Sequence, residues 1–300
     1  MFEKILVPLD GSELAEIALP YAEELAARLD SEVTLLHVCK PEHEGYQHMH
    51  RIYLGNRMAE FEHYIKRHFP KSTASVKGEN KSGQHPEVVM GDYVQANNIG
   101  LIVMATHGAS GLKTIVLGSV ADKVVRSVPV PTLLIRTKPP EEAENRRKLV
   151  NRILVPLDGS DASKEALPYA VELAQKVKAS IHLFRMTRSS YSYAGLEGMA
   201  GTVSLDLTRI DRAEEKRIHE YLGEVAEELR KKDIPVTYST VLSVDPGFEI
   251  IELCGKVDAD LVVMSTRGRS PLARWIIGST AEKVLREGQT PLLLVRQATS

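Results

Sequence analysis

Residues 4–29 read KILVPLDGSELAEIALPYAEELAARL, and residues 152–177 repeat this stretch as RILVPLDGSDASKEALPYAVELAQKV, with 16 of the 26 aligned residues identical. A second block, LIVMATHGASGLKTIVLGS at residues 101–119, returns as LVVMSTRGRSPLARWIIGS at residues 261–279. Two blocks repeated in the same order indicate a duplicated domain. The offset between the copies rises from 148 to 160 residues, which predicts a longer loop or helix between the blocks of the second copy.

Each copy alternates short β-branched runs with amphipathic stretches, which predicts strands and helices in turn. The first and fourth runs are apolar throughout, as is usual for strands buried on both faces of a parallel sheet. This order requires right-handed crossovers and places helices on both faces. We therefore predict an α/β fold of two tandem, doubly wound, five-stranded parallel-sheet domains. The predicted strands are 5–9, 33–38, 73–77, 101–105 and 132–135, and the predicted helices are 14–29, 55–68, 86–97, 119–128 and, in the second copy, 207–231.

The segment between the copies has the composition of a linker. Residues 137–148 contain two prolines followed by charged residues and show no apolar period. We predict a first domain at residues 1–138, a linker at residues 139–149 and a second domain at residues 150–300. Two similar domains on a short linker favour a pseudo-twofold pair within one chain.

Composition narrows the class of protein. The chain has 300 residues, a net charge of −2 and 43% apolar residues, which is ordinary for a globular protein and gives no overall attraction to nucleic acid or to an anionic membrane. Its two cysteines, Cys39 and Cys254, are too few for a disulfide framework and fit a reducing compartment. No apolar run reaches the roughly 18 residues of a membrane span. We expect a cytoplasmic protein.

Two segments of each copy are expected at the carboxyl end of the sheet, where open parallel sheets bind ligands. The first is PLDGS, at residues 8–12 and 156–160, which puts Asp10 and Asp158 directly after the first strand of each copy. A carboxylate followed by glycine and serine can hold a ribose hydroxyl or a metal. The alternative is an ordinary turn with a helix N-cap, since Asp and Ser are favoured capping residues.

The second segment follows the fourth strand and is rich in glycine. It covers residues 105–119 in the first copy and residues 265–279 in the second. Glycine lets the backbone approach a ligand closely. Gly118-Ser119 opens a helix, whose free N–H groups and positive dipole end suit a phosphate. The alternative is a loop with a glycine before a capping serine.

The glycine spacing resembles the ATP-binding signature of the universal stress protein family, Gly-x2-Gly-x9-Gly-(Ser/Thr). The last two glycines and the serine are present in both copies, whereas Ala105 and Ser265 stand at the position of the first glycine. The resemblance covers nearly the whole chain, including the opening ILVPLD and the closing PTLLIR and PLLLVR. It implies an adenine-nucleotide α-hydrolase-like, Rossmann-like fold. It also implies that the closing strands of the two copies pair within the chain, with a homodimer as a further possibility.

The same resemblance implies a nucleotide site in each copy, with ATP as the ligand and magnesium reaching the site only with the nucleotide. The implied residues are Pro8, Val38, Pro156 and Met186 for the base; Asp10 and Asp158 for ribose or a magnesium–phosphate group; Ala105 and Ser265 for a backbone contact to ribose; and Gly108, Gly118, Ser119, Val120, Gly268, Gly278, Ser279 and Thr280 for the phosphates.

The copies differ around their glycine loops. Arginines at positions 267, 269 and 274 of the second copy replace histidine, alanine and threonine in the first. Guanidinium groups bind phosphate in a bidentate way, so we predict that the second domain binds ATP at least as tightly as the first. The alternative is that these arginines form a solvated face.

The sequence contains no motif for a catalytic or metal centre. Its ten histidines lack metal-ligand spacing, and His43, His48 and His50 are expected in a loop after the second strand. The preferred function is an ATP-binding regulatory protein of the stress response. The alternatives are an interaction module that has lost nucleotide binding, and an enzyme that hydrolyses ATP slowly or adenylates a second substrate.

Overall fold

A computed structural model describes residues 1–106, 117–136, 149–188, 202–266 and 277–296. Within these residues ten strands form one sheet. The strands of the first copy are β1 (Lys4–Leu9), β2 (Glu32–Cys39), β3 (Ser75–Ser82), β4 (Leu101–Ala105) and β5 (Thr132–Ile135). The strands of the second copy are β6 (Arg152–Pro156), β7 (Ser180–Arg188), β8 (Val236–Ser243), β9 (Leu261–Ser265) and β10 (Leu292–Val295).

Helices connect the strands in both copies. Those of the first copy are α1 (Glu13–Glu16), α2 (Leu19–Leu29), α3 (Gln47–His68), α4 (Pro86–Asn97) and α5 (Ser119–Ser127), and a 3-10 helix at Pro41–Tyr46 precedes α3. Those of the second copy are α6 (Asp161–Lys164), α7 (Ala166–Val177), α8 (Thr202–Arg230), α9 (Pro246–Lys256) and α10 (Ser279–Glu287). The extra residues of the second copy thus include a longer helix, α8, as predicted.

The strand order defines the fold class. It is β3-β2-β1-β4-β5 in the first copy, and all neighbouring strands within the copy run parallel. The second copy repeats this order as β8-β7-β6-β9-β10. The order reverses between β1 and β4, and again between β6 and β9, as in a doubly wound sheet. The predicted fold class is therefore confirmed.

Helices cover both faces of the sheet. Ile5 and Val7 of β1 join a buried cluster beneath α1, α2, α3, α7 and α8, which we call the α2 face. Leu6 joins a second cluster beneath α4, α5, α9 and α10, which we call the α5 face. Because successive strand residues point to opposite faces, inner strands such as β1 and β4 must be apolar at consecutive positions.

The two half-sheets join through their closing strands. β5 and β10 pair antiparallel, with Leu133 opposite Leu293. The expected pairing of the closing strands within the chain is confirmed, and the paired edges leave β3 and β8 as the outer strands. The first residues of the chain also contact the second copy, because the buried ring of Phe2 packs edge-on against Tyr169 with 6.0 Å between ring centroids.

Two arginines form equivalent bonds across this joint. Nη2 of Arg136, directly after β5, donates to the carbonyl oxygen of Arg286 at the end of α10, at 2.7 Å. Nη1 of Arg296, directly after β10, donates to the carbonyl oxygen of Arg126 at the end of α5, also at 2.7 Å. Both donors and both acceptors are 160 residues apart in sequence, so the joint has pseudo-twofold symmetry.

Two helices differ from the sequence prediction. The predicted helix over residues 14–29 is broken at Ile17 and Ala18 into α1 and α2. Pro20 lies in the first turn of α2, where its missing N–H is harmless but where it cannot continue a preceding helix. Helix α3 begins at Gln47 rather than at residue 55, so His48 and His50 are helical and their prediction as loop residues was wrong.

The third strand also differs from its prediction. It covers residues 75–82 rather than 73–77, and it is an outer strand with one neighbour, β2. Its sequence, SVKGENKS, is mostly polar, because an outer strand is not buried as the inner strands are. No helix in the described part of the chain is long and apolar enough to cross a membrane.

Candidate functional site

A crevice opens where the strand order reverses in the first copy. The ladder between β1 and β4 pairs Ile5 with Leu101 and Leu6 with Ile102 and goes no further, although both strands continue toward their carboxyl ends. Pro8 follows the last ladder pair, at a position where a missing N–H breaks no hydrogen bond to β4. The crevice is the switch point at which open α/β sheets bind ligands.

The second copy opens in the same way. The ladder between β6 and β9 pairs Ile153 with Leu261 and Leu154 with Val262 and then ends, while Pro156 occupies the position of the first proline. The structure therefore places both predicted prolines at a crevice between two separating strands.

A tight turn carries Asp10 out of β1. Gly11 has φ +85°, a conformation that favours glycine. Oδ1 of Asp10 accepts from the backbone N of Ser12 at 3.0 Å and from its Oγ at 2.6 Å. Oγ of Ser12 in turn accepts from the N of Ala15 at 3.2 Å and caps α1. The capping alternative is thus correct for Ser12, and the same bonds fix the Asp10 carboxylate at the mouth of the crevice.

The turn of the second copy has the same bonds. Gly159 has φ +84°, and Oδ1 of Asp158 accepts from the N and Oγ of Ser160 at 2.8 and 2.6 Å. Oγ of Ser160 accepts from the N of Ser163 at 3.1 Å. The two turns differ in their surroundings, because Asp10 is exposed whereas Asp158 is half-buried.

The amino end of α5 is bonded directly to the end of β4. The N of Gly118 donates to the carbonyl oxygen of Thr106 at 2.8 Å, and the N of Thr106 donates to Ile135 at 2.8 Å. The first bond within the helix runs from Asp122 to Gly118 at 2.9 Å. The N–H groups of the first turn, beginning at Ser119, have no acceptor within a helix. They lie where the positive end of the helix dipole favours an anion.

The second copy repeats this arrangement at α10. The N of Gly278 donates to Thr266 at 2.7 Å, the N of Thr266 donates to Val295 at 2.9 Å, and Glu282 donates to Gly278 at 2.8 Å. Ser279 and Thr280 are the first residues of α10. Thr106 and Thr266, which bond to these glycines, were not predicted to contribute to the site. Their occurrence at the same position of both repeated blocks could have identified them.

The residues at the first position of the glycine signature belong to strands. Ala105 ends β4, pairs with Ile135 and joins the buried cluster of the α2 face, whereas its neighbour Met104 joins that of the α5 face. Ser265 ends β9 and pairs with Val295. Because α5 covers the opposite face, the Cβ of Ala105 is directed away from α5.

The apolar residues predicted to contact the base lie on the α5 face. Val38 and its counterpart Met186 are partly buried and pack against the cluster of that face. Val120, which is predicted to contact the phosphates, packs against the same cluster. Val38 follows β2 residues that pair with β1, so it lies beside the crevice. The structure therefore brings Pro8, Asp10 and Val38 to the carboxyl end of the sheet together with the amino end of α5.

One pair of equivalent residues, beside the predicted base contacts, was not predicted to belong to the site. His37 and Arg185 hold the same position in β2 and β7, one residue before Val38 and Met186. Nδ1 of His37 donates to the carbonyl oxygen of Leu9 at 2.9 Å, and burial lowers the pKa of His37. Aligning the copies at their offset of 148 would have shown this His-to-Arg difference.

Several predicted residues lie outside the described residues. They are Gly108, Gly268, the arginines at positions 267, 269 and 274, and nearly all of the predicted linker at residues 139–149. Their predicted roles stay predictions. In the ranges that the structure describes, no group of three or more His, Cys, Asp or Glu residues could hold a metal ion.

Comparison with known proteins agrees with the repeat. The sequence model of the Universal stress protein family matches residues 1–136 and again residues 150–296. A universal stress protein of Methanocaldococcus jannaschii is 31% identical over 153 residues, which cover 51% of this chain and 86% of that protein. One from Mycobacterium tuberculosis is 25% identical over 203 residues, which cover 68% of this chain and 64% of that protein.

A solved structure shares the fold over its full length. The crystal structure of a universal stress protein from Archaeoglobus fulgidus superposes with a TM-score of 0.67 at 21% identity, and the match covers 99% of this chain and 100% of that one. Since the family model matches both copies, the chain belongs to the universal stress protein family.

Proposed function

We propose that the chain is a regulatory protein that binds ATP in the crevice of each copy. The observation that carries the proposal is the position of α5 and α10. Each helix begins beside the strand end that borders the crevice, bonded to it through Gly118 and Thr106 or through Gly278 and Thr266. An open helix terminus at a topological switch point is a site suited to a nucleotide phosphate.

The residues around the first crevice fit the three parts of ATP. The amides of Ser119 and Val120 would bind phosphate oxygens, with the helix dipole adding to the attraction. The carboxylate of Asp10 would accept from ribose hydroxyls or contact a magnesium ion carried by the phosphates. Val38 would contact adenine from the α5 face, beside Pro8. The second copy offers the equivalent residues, with Met186 in the place of Val38 and Thr280 in the place of Val120.

The competing function is an interaction module without nucleotide binding. Its support is the replacement of the first signature glycine by Ala105 and Ser265. The packing of Ala105 weakens that support, because its methyl group is buried on the α2 face. The replacement therefore adds no atom on the side where α5 begins, and ATP binding stays the preferred proposal.

Binding of ATP would act on the protein by mass action. A ligand present at 100 times its Kd stabilises the form that binds it by about 2.7 kcal/mol. Closure of the crevice around ATP would therefore favour one arrangement of α5, and of the closing strands bonded to it through Thr106. A partner that recognises this arrangement would respond to the nucleotide.

Titration of glycine variants with magnesium–ATP tests the proposal. Gly118 and Gly278 have φ and ψ near −60° and +150°, which any residue adopts. Gly118→Val and Gly278→Val should therefore fold, while the new side chain blocks close approach of a phosphate. We expect isothermal titration to show loss of one site in each variant. Gly55→Val is the matched control, because a Cβ at Gly55 meets no atom within 4 Å; unchanged binding in both signature variants would refute the proposal.

A further inference from the structure

We propose that the two nucleotide sites are unequal because Arg185 occupies the ribose end of the second one. In this proposal, which rests on the proposed function, the first copy binds ATP more tightly. The second copy binds only when the Arg185 side chain moves aside. Arg185 thus determines the difference in ATP affinity between two sites whose other residues are largely repeated.

The first observation is the position of the Arg185 guanidinium. Its Nη1, Cζ and Nη2 atoms lie 2.6, 2.7 and 2.8 Å from the point where a Cβ on Gly159 would be. The group therefore lies in contact with the turn that presents Asp158. A sugar that approaches Asp158 over this turn meets the guanidinium first.

The second observation is that the equivalent space is open in the first copy. A Cβ at Gly11 would meet no atom within 4 Å. His37, the counterpart of Arg185, donates to the carbonyl oxygen of Leu9 and stacks on the ring of His50 with 4.4 Å between centroids. These two contacts hold the His37 ring away from Gly11. The burial of the two aspartates agrees with this, because Asp10 is exposed whereas Asp158 is half-buried.

The third observation is what holds Arg185 in place. Its Cζ lies 5.2 Å from the centre of the Tyr221 ring, within the range of a cation–π contact. Tyr221 belongs to α8, the helix lengthened by the insertion in the second copy. Lys164 lies 5.9 Å from the same ring, where the first copy has Glu16. The second copy therefore carries two cations beside its aspartate turn, and the ribose would have to displace the nearer one.

This order of affinities is the reverse of the one predicted from the loop arginines at positions 267, 269 and 274. Those arginines would strengthen phosphate binding, whereas Arg185 obstructs the ribose end. Exchanging the residues between the copies separates the two effects, because the exchange leaves the glycine loops unchanged.

The test isolates each site and then exchanges its residue. Gly118→Val leaves the second site, and Gly278→Val leaves the first. Isothermal titration with magnesium–ATP should give a Kd about tenfold weaker for the second site, the factor expected for displacing one such contact. Adding Arg185→His to Gly118→Val should tighten the second site about tenfold. Adding His37→Arg to Gly278→Val should weaken the first site by a similar factor.

The control is Arg217→His in the Gly118→Val background. Arg217 lies on α8, where it pairs with Glu214, so this change removes the same positive charge from the second copy without altering Arg185 or the aspartate turn. We expect no change in Kd. Thermal melting without nucleotide checks that every variant is folded.

Two results overturn the inference in distinguishable ways. If both single-site proteins bind ATP but Arg185→His leaves the second site unchanged or weaker, Arg185 does not obstruct it, and the proposed function stands. If neither the natural protein nor the single-site variants bind ATP, the proposed function is wrong, and this inference, which rests on it, is wrong as well.

Discussion

Replacing Arg136 with alanine is expected to weaken the joint between the two copies. The guanidinium donates to the carbonyl oxygen of Arg286 at 2.7 Å and to that of Gly288, at the carboxyl end of α10. A hydrogen bond from a charged donor contributes about 1.5–3 kcal/mol, and a cation at a helix carboxyl end adds about 0.3–1 kcal/mol. Because Arg136 is only half-buried, we take the lower value of about 1.5 kcal/mol for each of its two hydrogen bonds and expect a loss of about 3 kcal/mol in the free energy of unfolding.

Urea denaturation followed by circular dichroism measures this loss. In thermal unfolding, an entropy of about 2.1 cal/mol/K per residue converts it into a fall of about 5 °C in Tm. Arg286→Ala is the control: its side chain forms an ion pair with Glu282 at 2.9 Å on an exposed part of α10, and the change leaves the carbonyl oxygen that Arg136 uses. An exposed pair contributes less than about 1 kcal/mol. Equal losses in the two variants would refute the role given to Arg136.

Two further predictions concern the buried surroundings of α2 and the amino end of the chain. Burial raises the pKa of Glu23 to about 8, with a smaller effect of Glu60. The folded state therefore keeps a proton that the unfolded state releases above its pKa of 4.5, and stability falls as pH rises from about 4.5 to 8. Glu23→Gln should raise Tm at pH 8 and leave it nearly unchanged at pH 5; a gain that is the same at both pH values would contradict this. Phe2→Ala should cost about 3 kcal/mol in urea denaturation, because Phe2 is 1% exposed and packs on Tyr169; a cost as small as that of Glu3→Ala, at an exposed position, would contradict the packing.

The inner strands of the fold could be predicted because each is a local apolar run in the sequence and each run occurs in both copies. Strands β1 and β4 are continuous apolar runs, and their repetition in β6 and β9 excludes a chance pattern. Helix α4 was predicted with the bounds it has, since Pro86 marks its first turn.

The start of α3 could not be predicted because tertiary contacts stabilise it. Its first eight residues, QHMHRIYL, show no regular apolar spacing. Oη of Tyr53 donates to Oε1 of Glu16 at 2.8 Å, and His50 stacks on His37. Both partners are distant in sequence, so no local pattern indicates a helix there.

Likewise, one part of the candidate site could be predicted from the sequence and another part could not. Asp10 and Gly118 could be placed at the crevice of the first copy, and Asp158 and Gly278 at that of the second, because the segments that contain them follow strand ends in both copies. The different environments of Gly11 and Gly159 could not be inferred, since the position of Arg185 depends on its contact with Tyr221 of α8, which is distant in sequence.

Titration of nucleotide-stripped protein with magnesium–ATP tests the central proposal most directly, when the natural chain is compared with the Gly118→Val, Gly278→Val double variant. We predict saturable binding to the natural chain at one or two sites, and no binding to a double variant that melts at the same temperature. Absence of heat and of thermal stabilisation in the natural chain at millimolar ATP would contradict the proposal, as would equal binding by the double variant.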